Sequence, residues 1–576
     1  MGSDLTPHSL RAPEGVPDSR GLNLFTADVS FRGLLELHLE PALCSHLLPQ
    51  FERLGAIAGA ELDELAMAAD RNPPALEGQA IRKHASYREL ERKAFGEFGL
   101  AAMSHRGGVL GWPEPLPPLV KYALTYLYVQ AEFGVCCPLS MTDALTRTLR
   151  KFADPALVAR YLPGLTSQDM DTLLQGAMFI TEQTAGSDVG LISTVARKQD
   201  GVWRLHGDKW FCSNADAGLA LVLARPEGAP EGTRGLSLFL MPRTLTDGSP
   251  NRYRIARLKD KLGTRDMPSG EMKLESALAW LVGDPEQGFK QMADMINMSR
   301  LSNGMRAAGM MRRSLTEALF VARRRQAFGR PLVELPLMRR QLLKLMLPAE
   351  AARAVLFFTA AELEKADAGD EAARRRVRVL TPLIKFRACR DARRVTGDAM
   401  EVRGGVGYTE EWSDPCLVRD AHLGSIWEGT SNSVALDVMR AIRREECLEA
   451  LLPALDERIS RAPRLLAGRL AASLDKAAVF AHEIASTGSE AHARQAAGGL
   501  YYACAAALLA DEGRRLAQRG DARRLLLAFL IYVHRLAPRD PLHRETTGIE
   551  AAVAEALLAE TAVTAEAVER ILKRLA

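Results

Sequence analysis

Several features that would place a chain at once are absent from this one. No apolar run is long enough to span a bilayer: the longest strongly apolar one, 525–533, has nine residues, against the roughly 20 a membrane helix needs. The N-terminus, MGSDLTPHSLRAPEGVPDSRG, shows no basic start followed by an apolar core, so it does not read as a secretory signal and a cytoplasmic location is expected. Its first six residues meet the short pattern for N-myristoylation, which a Gly-Ser start also meets by chance. The eight cysteines form no CxxC pair and no Cys/His ladder, which argues against a zinc module and for reduced thiols. An excess of one charge is missing too. With 75 basic and 71 acidic residues the net charge is +4, too little to mark the whole chain as a nucleic-acid binder. There is no repeat at periods of about 20 to 50 residues and no low-complexity tract.

What remains is a chain of 576 residues, 47% hydrophobic and 25% charged, the composition of a soluble globular protein. Its length predicts two to four domains of roughly 100 to 200 residues. Residues 1–20 read as a flexible arm containing Pro and Gly. Residues 21–176 carry helical periodicity broken by Asn72-Pro73-Pro74 and by prolines within 112–118. From 177 to 288 the pattern changes to short β-rich runs separated by Gly, Pro, Asp and Asn. Helical periodicity resumes over 289–445, and a further helical block spans 446–576. The predicted fold is mainly α with an inserted β domain, which places a site between domains.

Four segments carry chemistry. MFITEQTAGSDVG (178–190) packs hydroxyls and backbone amides around Gly186, a turn that lets N–H groups approach an anion; Ser187 and Asp188 would equally cap a following segment. HGDKWFCSNAD (206–216) offers aromatic edges to wall a flat ring and a serine to bond its heteroatoms. RRRQAFGRPL (323–332) sets arginines at a helix end, where one would pair with a phosphate or simply be solvated. SIWEGTSN (425–432) places Glu428 just before a helix capped by Thr430 or Ser431. The helix start favours the carboxylate there, whereas an apolar chain packed over it raises its proton affinity. A base tuned upward suits abstraction of an α-proton. The plainer reading of Glu428 is a carboxylate within the helix cap.

Taken in order, the T-E-x-x-x-G-S-D turn, the G-x-K-x-x-x-x-N strand, the R-x-x-F-G helix end and E-G-T-S resemble the acyl-CoA dehydrogenase family over about 22–443. The resemblance implies an N-terminal helical domain, a middle β-barrel or sheet and a C-terminal four-helix bundle holding FAD, here with an additional helical domain. It implies that Met178, Thr181 and Ser187 lie along the flavin and its pyrophosphate, with Phe211 and Ser213 at the ring edge. Arg325, Phe328, Glu401, Gly404 and Gly405 would reach the FAD of a neighbouring subunit in a homotetramer, and Thr430 and Asn432 complete the cofactor set. Glu428 would be the catalytic base for an acyl-CoA-like thioester, Arg300 would contact that substrate, and electrons would leave to an unidentified acceptor.

The segments Asn72-Pro73-Pro74, 137–142 (CPLSMT) and 210–213 (WFCS), with the added domain, resemble the AidB-type adaptive-response branch more closely. That branch implies duplex DNA binding through the added domain, protection against alkylation and weak dehydrogenase activity. From 441 to 576 there are 19 basic and 18 acidic residues, a net of +1. A DNA-binding face would therefore rest on local arrangement of Arg514, Arg515, Arg523, Arg524 and Arg535, which read as readily as solvated helix faces or as parts of an assembly element. Two departures from ordinary members, Asn297 in place of aspartate and Pro336 in place of glutamine, bear on the usual CoA and FAD contacts.

Overall fold

The computed structural model describes residues 16–538 and 541–575. The N-myristoylation pattern lies outside the described residues. The end of the predicted arm, 16–20, is packed rather than loose: Ser19 donates to the Glu317 carboxylate, Arg403 donates to the Pro17 carbonyl at 3.2 Å, and the Arg20 guanidinium lies over Trp412.

Seven α-helices run from Phe31–His38 to Pro155–Leu165. Their starts follow from local chemistry: Pro41 opens one helix while Glu40 accepts from the amides of Ala42 and Leu43, and Asp154 caps another through Ala156. At Asn72-Pro73-Pro74 the helix Glu61–Arg71 stops and a short hairpin, Ala75–Glu77 with Ala80–Arg82, follows. Helical periodicity gave no sign of that hairpin. Phe31 packs against Phe25, Tyr126 and Phe357, and Phe25 stacks on Phe51, so aromatic packing joins this region to the helical bundle.

The β region closes on itself. Strand Leu219–Pro226 pairs with Val195–Gln199, which pairs with Val202–Ser213, then Ser269–Val282, then Ser237–Pro242, which returns to Leu219–Pro226. Closure removes free edges among these five strands, and Leu205, Cys212, Val222, Phe239 and Met272 fill a core of their own. Register shifts at Leu205/His206 and Lys209/Cys212 bend the Val202–Ser213 strand. The second shift accompanies a bond out of the ring, from the Trp210 amide to the Thr181 carbonyl at 2.8 Å.

Helices Gly288–Arg324, Pro336–Asp367, Glu371–Arg403 and Ser431–Glu445 form the bundle. Pro336, which stands in place of the usual glutamine, is the first residue of its helix, where its missing N–H costs nothing. The added domain is helical from Cys447–Ser460 to Ala565–Leu575. It is held to the rest by ions as well as apolar contact. Arg524 is bonded to Glu350 at 2.5 Å and to Glu512 at 2.6 Å, Glu350 also binds Arg353, and Arg353 binds Asp28. Arg523 donates to Ser30, and Arg312 reaches Glu560 at 3.1 Å.

This corrects the expected basic face. Arg523 and Arg524 are 4% and 0% exposed; Arg524 is bound by Glu350 and Glu512 and Arg523 by the Ser30 hydroxyl, so neither offers its guanidinium at the surface of this chain. Arg514 and Arg515 pair with Asp511, and Arg535 lies over Tyr502. No described helix is long and apolar enough to cross a membrane.

Candidate active site

Glu428 sits in the turn between helices Asp414–Gly424 and Ser431–Glu445, with a left-handed backbone (φ 54°) followed by Gly429 at φ 98°. Two left-handed residues in succession turn the chain sharply and direct the carboxyl into the bundle. There Ser299 donates to one carboxyl oxygen and the Asn303 amide to the other. These residues stand one turn apart on Gly288–Arg324, the i, i+4 spacing that places two side chains on one helix face. Burial raises the proton affinity of Glu428 above the ordinary carboxylate range, while Arg306, the Ser299 bond, Lys385 and Arg300 pull the other way. The environment is what a general base needs: a carboxylate without a paired cation, in reach of neutral donors.

The turn is fastened from three sides. Arg300 donates to the Glu428 carbonyl at 3.1 Å and binds Asp437 at 2.7 Å. Lys385 donates to the Gly429 carbonyl, and burial brings its ammonium down to about 8. Trp427 stacks on Phe133. Arg300, expected at the substrate, thus has its guanidinium engaged by the base's own turn, and Asn297 accepts from it at 3.4 Å. Thr430 is the N-cap residue, but its side chain makes no capping bond and lies 3.3 Å from the Ser433 hydroxyl. Asn432 accepts from Arg494 at 3.5 Å, a contact from the added domain that sequence reasoning did not foresee.

Met178, Thr181, Ser187, Phe211 and Ser213 belong to the β region. Met178 lies on strand Gly176–Phe179 and Phe211 and Ser213 end the bent strand. Phe211 is 54% exposed, and Lys259 stands over both it and Trp210. At Gly186 a Cβ would meet nothing within 4 Å. These residues fit a flavin: a bare aromatic edge, a hydroxyl and an open glycine turn face space that the chain itself leaves unfilled. What positions them was missed. Glu182 accepts from the amides and hydroxyls of Ser193 and Thr194, and binds Lys209 at 2.8 Å. Lys209 also donates to the carbonyls of Ile180 and Leu223. Burial opposes the charge on Glu182, but Lys209 and the hydroxyls hold its carboxyl down to about 2. The Glu of T-E and the Lys of G-x-K are therefore each other's partners, 27 residues apart; both were legible as motif letters and neither as a pair.

A third group forms at the ends of the long helices. Arg325 donates to the Arg403 carbonyl at 2.6 Å and packs so closely on Gly404 (φ 77°) that a Cβ there would lie 2.8 Å from its guanidinium. Glu401 accepts from Gln341 at 3.4 Å. Gly405 opens onto free space, and Phe328 is 92% exposed with φ 54°. No hydrogen bond or ion pair among the described residues links this group to the β-region group.

Three family profiles match the chain in sequence order: the AidB N-terminal domain over 15–172, the acyl-CoA dehydrogenase middle domain over 177–277, and the acyl-CoA dehydrogenase C-terminal domain over 286–443. The AidB protein of Escherichia coli is 36% identical over 409 residues, 68% of this chain and 73% of that one. Acyl-CoA dehydrogenase family member 11 of Caenorhabditis elegans is 34% identical over 352 residues, 58% of this chain and 57% of that one. The crystal structure of C. elegans ACDH-11 in complex with C11-CoA superimposes with a TM-score of 0.83 at 26% identity, covering 96% of this chain and 99% of that one. That of Bd2924 in its apo form gives 0.78 at 32%, covering 86% and 99%. The family is one of FAD-dependent oxidoreductases acting on CH–CH bonds. With domains, order and fold in agreement, the chain belongs to the acyl-CoA dehydrogenase family, in its AidB-like branch.

Proposed function

We propose that the protein dehydrogenates the α,β-bond of an acyl-CoA-like thioester, with Glu428 as the base that takes the α-proton. One observation carries the reading: the only direct donors to this half-buried carboxylate, among the described residues, are the neutral Ser299 and Asn303, and desolvation keeps its affinity for a proton high. The Glu428 amide donates to no backbone carbonyl among the described residues, which supports its use in polarising a thioester carbonyl. FAD, when bound, supplies the hydride acceptor. Met178, Thr181, Ser187, Phe211 and Ser213 would hold it from the β region and Thr430 with Asn432 from the bundle. Arg325, Phe328, Glu401, Gly404 and Gly405 would serve the FAD of a neighbouring subunit. Their separation from the β-region group and the bare Phe328 favour a homotetramer. Arg300 would meet the substrate only through the turn it holds. A cytoplasmic location agrees with eight cysteines that are all free, seven of them buried.

The test is flavin reduction by a panel of acyl-CoA thioesters under anaerobic conditions. Glu428→Gln should retain FAD and slow reduction by about 10²-fold or more, the usual contribution of a general base. Reduction at the wild-type rate in that variant assigns the base elsewhere.

A further inference from the structure

The charges facing Glu428 come from three elements. Helix Gly288–Arg324 presents Arg300 and Arg306, helix Glu371–Arg403 presents Lys385 and the Cys389 thiol, and helix Cys136–Phe152 presents the Cys137 thiol. The three cations are not equivalent. Arg300 is neutralised by Asp437 at 2.7 Å, and Lys385, which donates to the Gly429 carbonyl, has its own charge weakened by burial, which brings its ammonium down to about 8. Arg306 is wholly buried and has no carboxylate partner among the described residues. Its hydrogen bonds go to neutral oxygens, the Ser302 carbonyl at 3.3 Å and the Ser140 hydroxyl at 3.4 Å, and its Nη1 has no partner. Its guanidinium lies 4.8 Å from the Trp427 ring and 5.5 Å from the Phe133 ring, and those rings stack on each other. A buried, unpaired cation is costly, and this one touches the residue that immediately precedes the base.

The geometry points to Arg306 as a positioning residue for the reaction: its unpaired charge favours the carboxylate form of Glu428, and its contact with Trp427 fixes the turn that aims the carboxylate. The inference rests on Glu428 being the base. The sign is fixed by electrostatics, since a nearby positive charge favours the carboxylate over the acid. Removing it makes the base harder to ionise, so the acid limb of any Glu428-dependent process moves to higher pH.

The holoprotein is titrated by infrared difference spectroscopy, and the protonated-carboxyl band that is missing from Glu428→Gln identifies the group. In Arg306→Gln and Arg306→Met the midpoint of that band should rise by about one pH unit or more, while Arg306→Lys, which keeps the charge, should stay near wild type. Anaerobic flavin reduction by an acyl-CoA should follow, slowing below the acid limb by roughly tenfold for every pH unit the midpoint moves and recovering at high pH. A midpoint in Arg306→Gln equal to that of wild type overturns the inference. So does loss of bound flavin in all three Arg306 variants, Lys included, because the residue would then serve packing alone. If Glu428→Gln still reduces its flavin at the wild-type rate, the base assignment itself falls; if it is inactive while the Arg306→Gln midpoint is unmoved, only the role of Arg306 falls.

Discussion

Glu428, half-buried in its turn, and Glu350, fully buried at the junction with the added domain, are carboxylates on the same bundle, and they are opposites. Glu428 is met by a hydroxyl and an amide and its proton affinity rises. Around Glu350 burial also opposes the charge, but Arg353, Arg524 and Arg312 hold it well below the usual range. Desolvation opposes the charge at both sites, so it does not decide the outcome; the partners do. Neutral donors leave a carboxylate able to accept a proton, whereas cations fix it as a permanent anion and turn it into structure. At the active-site turn the direct bonds are to neutral groups; at the junction they are ion pairs.

The largest test of the contrast is Glu350→Leu. It takes the shared carboxylate from three buried arginines, leaving them only Asp28, Glu512 and Glu560, and should cost about 3–5 kcal/mol in denaturant unfolding; a loss below about 1 kcal/mol would mean that the cluster does not hold the domains together. Next comes Glu428→Gln, which should lose activity while its stability at neutral pH is unchanged or slightly higher. The sign follows from linkage: a carboxyl with a raised folded pKa disfavours the native state as pH climbs past its unfolded value, and glutamine removes that penalty. Glu350, Glu317, Glu512 and Glu182 have depressed values. Their contribution is present above about pH 4.5 and is lost as pH falls through their folded pKa values. A thermal-unfolding series should therefore show stability dropping steeply below about pH 4, and a flat profile down to pH 3 would contradict the ion-pair account.

The smallest effect belongs to the surface of the added domain. Changing Arg514, Arg515 and Arg535 together to Gln should shift stability by about 1 kcal/mol or less. With Arg523 and Arg524 committed inside, we expect no salt-dependent duplex binding through the remaining three. A duplex affinity whose salt slope falls by about one per arginine removed would restore the nucleic-acid role. Truncation near residue 444 is the wrong tool, since it takes Glu560 from Arg312 and Arg524 from Glu350.

Where neighbouring residues decide, the sequence was readable. The shift from helical to β texture, the glycine turn at 186 and the acid before the Ser431–Glu445 helix all lie in short windows. What it hid are pairings across distance. Glu182 with Lys209 looked like two motif letters. Arg523-Arg524 looked like a solvated helix face, because an arginine pair shows its helix and not the Glu350 that meets it 174 residues away. The left-handed backbone of Glu428 was hidden as well, since no local rule assigns such a conformation to glutamate.

The junction also has a consequence in time. Asp28 is made early, yet Arg353 follows it by 325 residues, and the Arg524 that completes the cluster through Glu350 comes later still. At about 5–20 residues per second, the first helices exist for roughly 15 to 65 seconds before Arg353 is added. During synthesis the N-terminal region therefore carries a carboxylate destined for the interior, and it meets the two cations that neutralise that charge, Arg312 and Arg353, only after more than half of the chain has been made.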